Sequence, residues 1–282
     1  MPLWQNKTMN TLSRAIDLLR KHWIIIIPTF LAVFIPALLL RSTAGNLAAV
    51  LEEYSSNIAY YAQNPEALND LFATVQAGVG SSTLLSTILN IAAVPMTAGL
   101  LHRVLSDQTV GFGDFAVALS ENIITYLKHV FGLILFGIGI AALSLVYLLL
   151  LTMVGFSGET VNLGIMFSGL LLWVLLVATF GVFLTFWFAA MVLEDYPLFA
   201  AISRSFSLVK KCFWRIVGVT LVVQIMIALV TAIAGGFAAI PLVGPLLTST
   251  VSAIGTVLMM TFAFVLYKEQ AEDEVVFDRN VE

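Results

Sequence analysis

The sequence predicts an all-α, polytopic membrane protein: six transmembrane helices and three amphipathic surface helices arranged as a threefold pseudo-repeat. Three observations predict it. Of 282 residues, 60% are hydrophobic and 11% charged, with a mean hydropathy of +1.00; a water-soluble domain carries about 25% charged residues. Several uncharged runs are long enough to cross the roughly 30 Å hydrocarbon core of a bilayer. They are continuous, unlike the alternating segments of about ten residues in a transmembrane β-barrel. Finally, residues 12–23 (LSRAIDLLRKHW) align without gaps on residues 202–213 (ISRSFSLVKKCF), and an apolar run follows each. A weaker third copy, residues 121–131 (ENIITYLKHVF), also precedes an apolar run.

From the N-terminus, Thr11 or Asn10 suits the N-cap of a first helix with Leu12, Ala15, Ile16 and Leu19 on its apolar face. His22 and Trp23 sit where interfacial residues gather. Residues 24–40 form span 1, in which Pro28 and Pro36 predict kinks or 3₁₀ adjustments. Residues 41–80 are the one long polar excursion. Leu47, Leu51, Tyr54, Ile58 and Tyr61 recur at helical spacing, and Asn64-Pro65-Glu66 opens a second short helix through Leu68, Leu71, Phe72 and Val75. This segment reads as an extracytoplasmic helical cap.

Residues 81–101 are span 2. His102, Arg103, Asp107 and Asp114 then mark a return to water. Span 3 covers 130–154, and span 4 covers an unusually long 163–193, which implies tilt or projection from the bilayer. The sequence 196–230 places a basic amphipathic segment, with Phe199, Ile202, Phe206, Val209 and Phe213 on its apolar face, directly before span 5. Span 5 covers 216–240, a tight turn spans 241–245, and span 6 runs to 267. The acidic tail, 268–282, reads as mobile. The whole is one integral membrane domain, with repeats at about 10–101, 113–193 and 196–267. The polar N-terminal residues do not read as a cleavable signal.

Charge sets the expected orientation. With both termini in the cytoplasm, 12 of the 13 Lys and Arg residues fall on that side and only Arg41 falls outside.

Composition and motifs argue against chemistry. The spans as drawn contain no Asp, Glu, Lys, Arg or His, the usual marks of a proton relay or ion path. Asn90 and Gln224 are the amides at membrane depth, suited to interhelical hydrogen bonds or to a polar cavity. His22, His102 and His129 do not form a metal-binding spacing. Gly111-Phe112-Gly113 lacks the context of a dinucleotide site. Cys212 lies among Lys210, Lys211 and Arg215, surroundings that lower a thiol pKa, but it has no partnered base. Ala228, Ala232 and Gly236, and likewise Gly137 and Ala141, suit close helix packing. Arg14, Arg20, Lys21, Arg204, Lys210, Lys211 and Arg215 are the candidate binding feature, a basic collar for anionic headgroups.

Residues 192–210 (VLEDYPLFAAISRSFSLVK), with Pro95 to Gly99 before a polar loop, resemble a recurrent passage of small bacterial six-span membrane proteins. These are the membrane domain attached to some glycerophosphoryl diester phosphodiesterases, and its stand-alone relatives of unassigned function. The resemblance covers most of residues 10–267. In the fused enzymes hydrolysis belongs to a separate soluble barrel, which this sequence does not contain, so the activity does not carry over. The resemblance implies a bacterial plasma membrane and a link to lipids or the envelope.

The expectation is therefore a non-catalytic protein that binds or organises lipids, with no cofactor, no metal and no nucleic-acid partner. Two alternatives stand beside it: a transporter or flippase of an amphipathic or neutral solute, and a membrane subunit of a larger complex or homo-oligomer.

Overall fold

In the computed structural model the described residues are 3–57, 60, 64–157, 160–237, 240 and 242–279. Among them the chain is helical almost throughout. The helices are α1 (Leu3–Lys21), α2 (Ile26–Ser56), α3 (Pro65–Leu105), α4 (Asp114–Gly155), α5 (Leu163–Phe183), α6 (Trp187–Leu193), α7 (Leu198–Gly235) and α8 (Val243–Arg279). A 3₁₀ turn, Trp23–Ile25, joins α1 to α2. The only strands described are two-residue β1 (Phe156–Ser157) and β2 (Thr160–Val161), an antiparallel pair that returns the chain from α4 to α5. Five helical stretches are long and apolar enough to cross a membrane, and six if the bent pair Asn10–Lys21 and Trp23–Leu39 counts as one.

Four expectations are corrected, the first being the N-cap: α1 begins at Leu3, so Asn10 and Thr11 lie inside it. The helix opened by Pro65 is not short. With proline at its first turn, where a missing N–H costs nothing, it continues unbroken into span 2 as 41 residues. At 1.5 Å per residue that is about 60 Å, twice the hydrocarbon core. The periodicity expected at Leu51, Ile58 and Tyr61, and at Leu68, Leu71, Phe72 and Val75, lies outside the described side chains.

Span 4 is the long apolar stretch expected, 31 residues, with a turn at residues 184–186 inside it. α5 alone covers about 31 Å, and the excess belongs to α6, whose Trp187, Ala189, Ala190, Met191 and Val192 are buried. The tail is helical through Arg279. Lastly, a Cβ built on Gly137 meets nothing within 4 Å, and Ala228, Ala232 and Gly236 are exposed, so within the chain itself these small residues make no tight helix contacts.

The amphipathic copies show why the sequence repeats. Residues eleven and seven positions before His22, His129 and Cys212 are buried in all three: Thr11 and Ala15, Ala118 and Asn122, Ala201 and Ser205. Beyond these buried positions the copies diverge. His22 leaves helical geometry (φ −122°, ψ 51°) and the chain turns by 89°. Cys212, its aligned partner, does the same (φ −132°, ψ 19°). At the first break, Pro28 cannot donate to the Ile24 carbonyl and crowds it, which favours the 3₁₀ turn over residues 23–25. At the second, Cys212 Sγ donates to the Leu208 carbonyl at 3.5 Å, the kind of side-chain bond that bends a helix. The third copy has no break: α4 runs straight through His129.

The chain divides into two compact units. One comprises residues 1–12, 124–220 and 262–282. Its core is aromatic: Phe186 meets Tyr267 edge-on at 5.7 Å, and His129 meets Trp187 edge-on at 4.7 Å. The Trp187 indole donates to the Leu198 carbonyl at 3.1 Å. A Cβ on Gly132 would lie 2.6 Å from that indole, so glycine is what lets α4 approach it. The other unit comprises residues 13–123 and 221–261. There α2 and α3 pack together, joined at depth by a buried hydrogen bond between the Thr29 and Thr97 hydroxyls at 3.0 Å.

Candidate functional site

The basic collar is only partly available. On α7, Arg204 and Lys211 both donate to Glu274 of α8, and Arg204 lies 3.7 Å from Glu194. Arg215 donates to Thr11 of α1 and to Glu269, 3.3 Å away, while Thr11 Oγ1 donates to the same carboxylate at 2.6 Å. The Tyr267 hydroxyl is buried beside Glu194 and Arg204 without a hydrogen bond of ordinary geometry to either. Three of the seven candidate cations are thus neutralised by carboxylates of the tail helix and the α6–α7 loop. Arg14, Arg20, Lys21 and Lys210 are exposed, and Arg20, Lys21 and Lys210 have no ion pair among the described residues.

The sequence did reveal the cations, but not their partners. A run of tail carboxylates looks like any solvated face until α8 brings Glu269 and Glu274 against α7.

The remaining titratable candidates do not converge. His22 stands at the bend, where partial burial, and then the charge of Lys21, lower its pKa below the ordinary histidine value. His129 packs on Trp187 and Phe188. Cys212 is buried, so its thiol does not present itself to reagents. Among the described residues no three His, Cys, Asp or Glu side chains are placed to hold a metal ion. Arg103 is occupied too, bonding Asp114 at 2.9 Å and Glu121 at 3.1 Å across the α3–α4 loop.

Among the described residues, two cavities lie along the spans. The first, about 420 Å³, is a groove between α4 and α5 with a wholly apolar set of side chains. Two aromatic pairs join the helices beside it: Phe136 on Phe180 at 5.4 Å, and Tyr147 stacked on Trp173 at 4.8 Å. The Tyr147 hydroxyl donates to the Gly169 carbonyl and the Trp173 indole donates to Ser144, at 2.9 and 3.0 Å. These bonds fix the antiparallel pair and leave the groove open between them. Gly139 sits on its wall, and a Cβ there meets nothing within 4 Å. From Phe136 to Leu143 the groove runs about 10 Å along the helix.

The second cavity, about 340 Å³, lies between α7 and α8 and is lined by Gln224, Ile227, Ser252, Gly255, Thr256 and Met259. Here the structure separates the two intramembrane amides. Gln224 opens into this notch. Asn90 instead donates back to the Ser86 carbonyl of its own helix at 2.8 Å and lines neither cavity. Ser252 and Thr256 belong to no motif in the sequence; their spacing of four on one apolar run was the available signal.

Together these features define a class: an all-α, multi-pass membrane protein whose cavities open along its apolar helices. Comparison with family models, curated proteins and solved structures finds no match to this chain.

Proposed function

We propose that the protein is a non-catalytic lipid-binding protein of a bacterial plasma membrane, with both termini in the cytoplasm. The observation that carries this reading is the α4–α5 groove. It is apolar in lining, flanked by two aromatic pairs, and set on the two spans with almost no buried surface: none of the most apolar window of α4 and 6% of that of α5–α6. Faces such as Ile138 (62% exposed) and Leu172 (53%) meet hydrocarbon directly. Between apolar groove and apolar lipid there is no hydrophobic driving force, so retention of a chain rests on shape and dispersion. The exposed cation Lys210, in the same compact unit as the groove, supplies headgroup attraction of about 1 kcal/mol near an anionic surface. The resemblance to the membrane domains of glycerophosphoryl diester phosphodiesterases points the same way.

The test uses the full chain in nanodiscs containing phosphatidylglycerol with a photoreactive acyl chain. Labelled peptides are expected from α4 and α5. Gly139→Phe, which fills the groove from a position with free space, is expected to cut that label about tenfold, as loss of roughly 1.4 kcal/mol of contact would. Equal labelling of the variant and the parent would refute the groove as a lipid site.

A further inference from the structure

The α7–α8 notch has unspent hydrogen-bonding capacity at membrane depth. Gln224 lies eight residues beyond Ile216, about 12 Å along the helix, and faces the middle of α8 at Gly255. Gly255 makes room for the Ile227 side chain, since a Cβ there would collide with its Cδ1.

Three threonine hydroxyls elsewhere on α8 are engaged. Thr248, Thr250 and Thr261 each donate to the carbonyl one turn back, at 2.9, 2.7 and 2.7 Å. Ser252 and Thr256 make no such bond, and Gln224 has no hydrogen-bond partner among the described residues. Ser249, one turn before Ser252 on the same face, is 2% exposed with its Oγ unpartnered. Polar groups in hydrocarbon are satisfied within the protein or by something bound. The Gln224 amide and the Ser252 and Thr256 hydroxyls, left open around one cavity, therefore point to a bound partner.

The chemistry of the lining restricts that partner. The notch is lined by no ionisable side chain, so a charged group would be desolvated without compensation. Gln224 supplies both donors and an acceptor, and each hydroxyl can do either. The volume holds roughly ten heavy atoms at about 30 Å³ apiece. We propose that this notch binds the uncharged hydroxyl-and-ester region of a neutral glycerolipid, its hydroxyl and carbonyls bonded to Gln224, Ser252 and Thr256. The site shares no residue with the α4–α5 groove and does not rest on the function proposed for it.

The test places the full chain in phosphatidylcholine nanodiscs doped with a photoreactive diacylglycerol. Crosslinks are expected at residues 224–227 and 252–259, competed by unlabelled dioleoylglycerol but not by added phosphatidylcholine. Gln224→Leu with Thr256→Val is expected to reduce them about tenfold, the size of one or two lost hydrogen bonds. Gly139→Phe should leave them unchanged. Should the double variant not fold, isosteric Thr256→Val alone reads the same loss. Crosslinks that phosphatidylcholine competes equally, or that survive the polar substitutions, overturn the proposal. So does a double variant that keeps its crosslinks but loses an oligomeric mass in native mass spectrometry, because the amide would then be meeting a second copy.

Discussion

Gly99 and Gly137 look alike in the sequence, each a glycine inside an apolar run, yet they meet opposite surroundings. A Cβ on Gly99 would lie 2.6 Å from the Asn122 amide nitrogen and 2.8 Å from Ala118, whereas one on Gly137 meets nothing within 4 Å. Gly99→Ala is therefore expected to destabilise by about 1–3 kcal/mol through overpacking. Gly137→Ala is expected to be neutral or to stabilise by up to about 1 kcal/mol, since alanine is the better helix former. Thermal unfolding of both variants in detergent checks this; similar melting shifts would contradict it. Small-residue spacing could not distinguish these glycines, because it records what a backbone permits and not what stands opposite. Gln224 and Asn90 teach the same lesson. Both were legible as amides at depth, but only the fold sends one into a cavity and the other back onto its own helix.

At the level of elements, the amphipathic copies were the most legible part of the chain. Gap-free alignment of residues 12–23 on 202–213 placed His22 against Cys212, and those two residues both leave helical geometry. The third copy keeps the burial pattern and loses the bend: His129 has neither a proline like Pro28 after it nor, among the described residues, a side-chain bond like that of Cys212. The tail was the least legible. Its acidity suggested solvent, while in the fold Glu269 and Glu274 tie α8 to Arg215, Arg204 and Lys211. Glu274 is one-fifth exposed as a side chain and Lys211 half exposed, so this tie is screened and worth about 1 kcal/mol rather than more. Glu274→Ala is expected to speed hydrogen exchange across residues 268–279 and to lower stability by about that amount, with the loss shrinking at high salt. Unaltered exchange would show that the tail helix is held by its apolar residues alone.

For the molecule as a whole, apolar run lengths alone predicted the multi-pass helical class, because hydrocarbon leaves a spanning backbone so few solutions. Interruptions within the runs were harder to see, as the α5–α6 break lies in an unbroken apolar stretch. Orientation remains an inference from the placement of Lys and Arg. It predicts that, in a Cys212→Ser background, Ser55→Cys reacts with a membrane-impermeant maleimide added to intact cells, and that Ser106→Cys reacts only after lysis. The reverse pattern would invert the topology.

The α5–α6 break has a consequence for how the chain is made. Its exposed backbone groups are closed by Ser205, whose hydroxyl donates to the Phe183 carbonyl at 2.6 Å and accepts from the Phe186 N–H at 3.1 Å. That serine is 22 and 19 residues downstream of the atoms it serves. While the ribosome is still adding those residues, the bend has no side chain to hold it, and an uninterrupted helix satisfies the same backbone atoms better. The turn at residues 184–186 is thus closed by its side-chain partner only once the following helix has emerged.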